Sequence, residues 1–176
     1  MLQWIKWLIP LSVVSSLSFA AEVVFMEVHK DGRVIQLEPN GRFYHVAIRY
    51  KDQWLHAHTH RGVDLVKDIK PYGDRFVVVK NSSVPQPGPE FVTQWLGKPF
   101  DRGYHWDNPL ATYCTRLIAD FFGVEPKVML FQAPHWAQHF TRHSREKGLS
   151  PDELYEALIH RGFTPSADCE MDLETL

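Results

Sequence analysis

The stretch SSVPQPGP, residues 82–89, constrains the fold of this chain more than any other. Pro85, Pro87 and Pro89 have no N–H to give to a helix or a sheet ladder, so regular structure must change character here. Upstream, the sequence reads as strands. EVVFMEV and RVIQLE are β-rich runs joined by HKDG, and Asp-Gly predicts a tight hairpin turn. RFYHVAIRY alternates: Tyr44, Val46, Ile48 and Tyr50 point one way, Phe43, His45, Ala47 and Arg49 the other. KDQ is the next turn, WLHAHTH the next strand and GVDLV a short extended piece. RFVVVK is nearly continuous in apolar character, which predicts a central strand.

Downstream, the sequence reads as helices. PEFVTQWLG has Pro near its start and Gly just past its end. GKPFDRGYHWDNPLA is a loop. TYCTRLIADFFG is a second helix, with Thr112 as its expected cap and Gly123 as its stop. PHWAQHFTRHSREKG is a candidate third. SPDELYEALIHRG carries a complete start signal, with Ser150 as cap, Pro151 in the first turn and Glu153 closing a capping box, and Gly162 ends it. The tail after Pro165 is acidic and reads as loose. Strands followed by helices predict an α+β fold with an antiparallel sheet. Neither half is large enough to bury a core alone, so the proline-rich stretch is a crossover within one domain.

The first twenty residues stand apart. MLQWIK carries one positive charge, WLIPLSVVSSL is apolar and SFA ends in small residues, the layout of a secretory leader cut after Ala20. The apolar run is short for a membrane span, so no stable span is expected after cleavage; an uncleaved anchor is the alternative. The expected domains are therefore a signal peptide over 1–20 and a single domain over 21–176, in a periplasmic or secreted protein of the cell envelope. A formal net charge of -2 gives no basic field for nucleic acid.

The chain has two cysteines, Cys114 and Cys169. Leu117, Ile118, Phe121 and Phe122 form one helical face, and Cys114 borders it in the first turn. Unpaired N–H groups and partial positive charge at a helix start stabilise a thiolate or an oxyanion. Position alone leaves three readings of Cys114: a small core residue, half of a disulfide with Cys169, or a nucleophile.

A cysteine nucleophile needs a base in reach, and the base needs an orienting partner. His45 lies mid-strand among apolar neighbours, and His56, His58 and His60 share one face of the next strand. A two- or four-residue turn after Tyr50 puts that face beside His45; a three-residue turn flips it. Spacing leaves open whether His56 or His58 is the neighbour. HAHTH, with His45 or His105, could alternatively bind zinc, although no H-E-x-x-H spacing accompanies it.

FYHVAI, WLHAHTHRGV, GKPFD, YCTRLIADFFG and LSPDELY, in that order, resemble the YiiX/YaeF-type permuted papain-like amidases. These are relatives of the NlpC-type cell-wall cysteine peptidases and of the lecithin:retinol acyltransferase group. The resemblance spans roughly residues 40–162, with the histidine ahead of the cysteine as in the permuted order. It implies a permuted papain-like fold, a small antiparallel sheet packed on the cysteine helix. It implies Cys114 as nucleophile, His45 as general base and His56 as orienting residue, and so chooses His56 over His58, the alternative third residue that spacing left open. The activity implied is that of a cysteine hydrolase, amidase or acyltransferase, without cofactor or metal, acting on a cell-wall peptide or a lipid-linked amide.

Four positions depart from the family pattern. Ala47 stands where Gly is common, Thr115 and Arg116 stand in YCTRL where YCSEL is common, and Phe100 stands in GKPFD where a tyrosine near the oxyanion site is frequent. Tyr104 or Tyr113 could replace that tyrosine, and Tyr104 and Trp106 could line the cleft. Phe100 and Arg116 favour an alternative, a binding module that kept the fold and lost turnover. A histidine-rich metal-binding protein is the third reading.

Overall fold

The computed structural model of the chain describes residues 19–129 and 147–166. The expected leader up to residue 18, most of the candidate helix over 134–148, and the tail with Cys169 lie outside the described residues.

Ala20–Glu27 form β1, and His29–Lys30 and Arg33–Val34 form a two-stranded ribbon, β2 and β3. Asp31 and Gly32 both have positive φ, +52° and +72°, as a two-residue hairpin turn of this chemistry requires. RVIQLE, expected to be a strand throughout, is extended only over Arg33–Val34. Its remainder begins a strap that ends on the third helix. β4 (His45–Tyr50), β5 (Gln53–His58), β6 (Gly62–Val66) and β7 (Arg75–Pro85) follow, with a 3₁₀ turn at Lys70–Tyr72 between the last two.

Among the described residues, three helices come after these strands: α1 (Pro89–Trp95), α2 (Cys114–Phe122) and α3 (Pro151–His160). Short strands β8 (Lys127–Val128) and β9 (Lys147–Gly148) pair with each other, and β10 (Thr164–Pro165) joins the main sheet. Lys147–Gly148, the end of the expected third helix, is therefore strand and not helix. The architecture is α+β, with a six-stranded antiparallel sheet in the order β10-β7-β1-β4-β5-β6.

β7 runs past the expected strand end at Lys80 to Pro85. Its register against β1 jumps from Asn81, opposite Ala21, to Pro85, opposite Ala20. The bulge takes up residues 82–84, so the proline meets the ladder only at its last rung.

One face of the sheet packs on the helices. Val23, Phe25, Val46, Ile48, Leu55, Ala57, Val77 and Val79 meet Leu117 and Ile118 of α2 and Leu154 and Leu158 of α3. Each fully buried leucine or isoleucine there contributes about 2 kcal/mol by leaving water. The opposite face carries Val24, Met26, Ala47, Trp54, Phe76 and Val78, with Val66, Ile69 and Tyr72 packed over it. By alternation, His45 and His56 belong to this second face and Cys114 to the helix side.

α3 starts as the sequence predicts. The Ser150 side chain accepts from the Glu153 N–H at 3.1 Å, and the Ser150 N–H donates back to the Glu153 carboxylate. The Ser150 hydroxyl donates to Glu38 at 2.6 Å, and Asp152 accepts from the backbone N–H groups of Arg42 and Phe43. The start of α3 thus anchors the strap that leads into β4 and delivers His45.

α2 departs from expectation at its cap. Tyr113 occupies that position and no side chain caps the helix, because Thr112 is one residue too early and its hydroxyl turns to the Tyr113 carbonyl. Gly123 ends the helix in the left-handed conformation, as expected.

Gly62 joins the histidine strands to the loop before α2. Its φ is +73°, and a Cβ there would sit 2.2 Å from the Lys98 carbonyl oxygen. Around it, the Val63 N–H donates to the Lys98 carbonyl and the Gly97 N–H to the Val63 carbonyl, both at 2.8 Å. A side chain would break this close approach. Gly62→Ala is expected to lower stability by more than about 2 kcal/mol in urea titration, whereas Gly97→Ala, with φ also positive at +81° but open space around it, carries the backbone strain alone and costs less.

Candidate active site

Cys114 is the first residue of α2. The loop before it is held from three sides. The Thr112 N–H donates to the Pro99 carbonyl and the Asp101 N–H to the Thr112 carbonyl, which lays Phe100 parallel to Thr112. The buried Asp101 carboxylate accepts from the Gly103 N–H and from the Asn108 amide, both at 2.8 Å, and lies 3.3 Å from His105 Nδ1. Burial opposes its ionisation, but hydrogen bonds from Asn108, Gly103 and His105 outweigh burial and hold its carboxyl below the usual range. Arg116 supplies the third hold. Its buried guanidinium donates to the carbonyls of Asn108, Ala111 and His105 and lies over the Trp95 ring. Arg116 therefore stabilises the loop and does not line the cavity beside Cys114.

That cavity is about 280 Å³ and opens where β4 begins. Cys114, His45, His58, Phe100, Tyr104 and Tyr113 all line it, so two groups 69 residues apart in sequence border one space. The Val46 backbone N–H, next along the chain from His45, faces the Cys114 sulfur together with the N–H groups of Thr115 and Cys114. Trp106 packs behind Tyr113, with ring centroids 6.4 Å apart, and is not part of the cavity wall.

The histidines meet through the hairpin. Tyr50 pairs with Gln53, so the turn has two residues, Lys51 and Asp52. This parity places His45, His56 and His58 on one face. Within it, His45 Nε2 lies 2.9 Å from His56 Nδ1. Side-chain direction thus selects His56 as the hydrogen-bonding partner, which spacing left open. His56 Nε2 in turn lies 2.7 Å from Asp64 Oδ1, its cross-strand neighbour on β6. Both atoms are buried, and neither has another hydrogen-bond partner. Arg61 Nε holds the other carboxylate oxygen at 3.0 Å. Tyr72 covers the group edge-on, 4.5 Å from the His56 ring centroid.

Electrostatics differ from the expectation of a pre-formed thiolate. Burial pushes the Cys114 thiol up to about 11, outweighing the three backbone N–H groups that favour the anion. Burial also drives His45 well below the ordinary histidine value, reinforced by His56 and His58. His56 falls to about 4, again chiefly by burial, with Asp64 opposing. The resting site therefore holds a neutral thiol and neutral imidazoles. Tyr44, Tyr104 and Tyr113 are raised by burial and, less, by Cys114, so their hydroxyls stay protonated beside the cavity. The Leu149 backbone approaches the Tyr113 hydroxyl without forming an aligned hydrogen bond.

Among the described residues, Cys114 is a free buried thiol, and no three His, Cys, Asp or Glu side chains converge as a metal ion requires. Asp64, Tyr72 and Tyr44 escaped the sequence reading. Asp64 was legible in principle, since GVDLV pairs back on WLHAH and the register sets Asp64 opposite His56. Tyr72 arrives from an irregular turn that has no period. No protein-family profile, curated protein or solved structure matches this chain, so the functional reading rests on geometry and chemistry.

The buried imidazoles make stability pH-dependent. His56 binds a proton at about 6.5 when unfolded and only at about 4 when folded. Between these values the unfolded chain holds more protons, so stability falls as pH drops from about 6.5 and the loss levels off below about 4. His56 alone accounts for about 3 kcal/mol of that loss. Urea titrations at pH 7 and 4.5 are expected to show a smaller acid loss for His56→Gln than for the native chain.

Proposed function

We propose that this chain is an exported cysteine hydrolase or acyltransferase on a permuted papain-like fold, acting on an amide or ester in the periplasm or outside the cell. The observation that carries the reading is that Cys114, at the start of α2, and His45, hydrogen-bonded to His56, border one cavity. The substrate is a peptidoglycan peptide or a lipid-linked amide, and the resemblance of the five motifs supports both the fold and this substrate class.

A neutral resting pair sets the mechanism. His45 takes the Cys114 proton as the sulfur attacks the carbonyl carbon, a general-base step in place of a standing ion pair. The carbonyl π electrons move to oxygen, and the Cys114 N–H with neighbouring donors steadies the oxyanion. Protonated Tyr44, Tyr104 and Tyr113 are side-chain donors bordering the cavity where Phe100 offers none. Collapse expels the amine or alcohol, which leaves with the proton from His45, and the acyl group stays on sulfur as a thioester. Water, activated by His45, attacks the thioester; the acid departs and the thiol regains its proton. An acceptor amine or alcohol in place of water makes the reaction a transfer.

A second reading, a binding module without turnover, is favoured by two observations. Cys114 is buried with a raised pKa, and Phe100 faces the cavity without a hydroxyl. Arg116, the other departure from the family pattern, gives this reading no support, because it holds the loop and not the cavity.

The test is turnover of p-nitrophenyl acetate and octanoate by the purified chain. Cys114→Ala and His45→Ala are expected to lower the rate above background by about 10³-fold, with circular dichroism unchanged. Equal turnover by Cys114→Ala contradicts the enzyme reading. Absence of turnover in the native chain, on these esters and on peptidoglycan peptides, favours the module.

A further inference from the structure

We infer that Asp64 is a positioning residue that fixes, through His56, which nitrogen of His45 is free to take a proton. This rests on the proposed roles of Cys114 and His45. His56 Nε2 and Asp64 Oδ1 are both buried, lie 2.7 Å apart and have no other hydrogen-bond partner. Two lone pairs facing one another at that distance repel, so a proton lies between them. Arg61 Nε lies 3.0 Å from the other carboxylate oxygen, and an aspartate carboxylate is an acceptor only, so the proton belongs to the ring, on Nε2 of His56.

The rest follows by elimination. A neutral His56 protonated at Nε2 carries its lone pair on Nδ1. Nδ1 is the atom 2.9 Å from His45 Nε2, so His45 must donate there and holds its own proton on Nε2. The lone pair of His45 is then on Nδ1. One carboxylate thereby sets two tautomers in series and leaves Nδ1 as the only basic atom of His45. The cross-strand position of Asp64 opposite His56 fixes this relay to the sheet, not to a loop side chain.

The relay makes a distinctive prediction for Asp64→Asn. The Arg61 guanidinium, 3.0 Å from the Oδ2 position, retains an oxygen there, which turns the new NH₂ toward His56 Nε2. An NH₂ donates, so His56 must accept at Nε2 and carry its proton on Nδ1. It then donates to His45 Nε2, and the His45 proton moves to Nδ1, leaving no free lone pair on that ring. A carboxamide of nearly the same size as the carboxylate thus inverts both rings, while Asp64→Glu keeps a carboxylate acceptor.

The measurement is two-bond ¹H–¹⁵N correlation of the histidine rings in the full chain, in a Cys114→Ala background that needs no turnover. The native Asp64 chain is expected to show His45 and His56 both protonated on Nε2. Asp64→Asn is expected to move both protons to Nδ1, and Asp64→Glu to retain the native pattern. A native spectrum with His45 protonated on Nδ1 overturns the inference on its own, even where Asp64→Asn fails to fold. So does an Asp64→Asn spectrum identical to the native one. In chains that retain Cys114, Asp64→Asn is expected to lower kcat for the esters by at least about 10²-fold with KM little changed. The tautomers stay readable if Cys114 proves not to be a nucleophile, and the Cys114→Ala turnover test stands if the tautomers do not move, so the two failures are distinct.

Discussion

The two-residue turn at Lys51–Asp52 is the constraint on which the site depends. A strand repeats every two residues, so one residue more or less in that turn would rotate the whole of β5. His56 would then enter the apolar core under α2, and Leu55 and Ala57 would face the opposite side. With the turn as it is, Leu55 and Ala57 complete the core, and His56 lies against His45 and Asp64. The same parity thus serves packing and polar pairing together. Burying these imidazoles is tolerable because they contact each other and a carboxylate. Tyr72, edge-on to His56, adds to the cover over them.

Cys114 shows the opposing pulls on a thiol at a helix start. The backbone N–H groups of Val46, Thr115 and Cys114 favour the anion, and complete burial disfavours it. Burial prevails, so helix position alone does not create a thiolate here. What the position supplies is geometry. The first turn of α2 sets Cys114 on the wall of the cavity that His45 also borders, with the N–H groups of Val46, Thr115 and Cys114 beside its sulfur. The loop that holds it there is tied by Asp101 and Arg116, two buried charged side chains whose work is structural.

The fold class was legible because the periods are clean. His45–Tyr50 alternates, Leu117 and Ile118 with Phe121 and Phe122 mark one helix face, and Ser150–Glu153 writes a capping box that the structure contains atom for atom. RVIQLE was misleading because β-branched residues raise strand propensity without supplying a partner strand, and after Val34 the chain leaves its hairpin for the strap tied to α3. The extension of β7 through Asn81 to Pro85 was hidden by a bulge, which shifts the proline off the interior rungs. Thr112 was a reasonable cap by residue type, but a cap is a matter of one position, and Tyr113 holds it. At the site, the motif resemblance pointed to Cys114, His45 and His56; Cys114 and His45 border one cavity, and His56 lies behind it against His45. Asp64 follows only once the β5–β6 register is drawn, and Tyr44 was not legible, because it joins through a strap conformation that no local pattern encodes.

The most direct measurement is the mass of the protein during turnover. The chain is mixed with p-nitrophenyl octanoate, quenched in acid within the first turnover, and analysed intact and after proteolysis. A Cys114 nucleophile predicts one octanoyl group per chain, mapped to the Cys114 peptide and removed by hydroxylamine. Release of p-nitrophenol with no adduct on Cys114, or with the acyl group on another side chain, contradicts it.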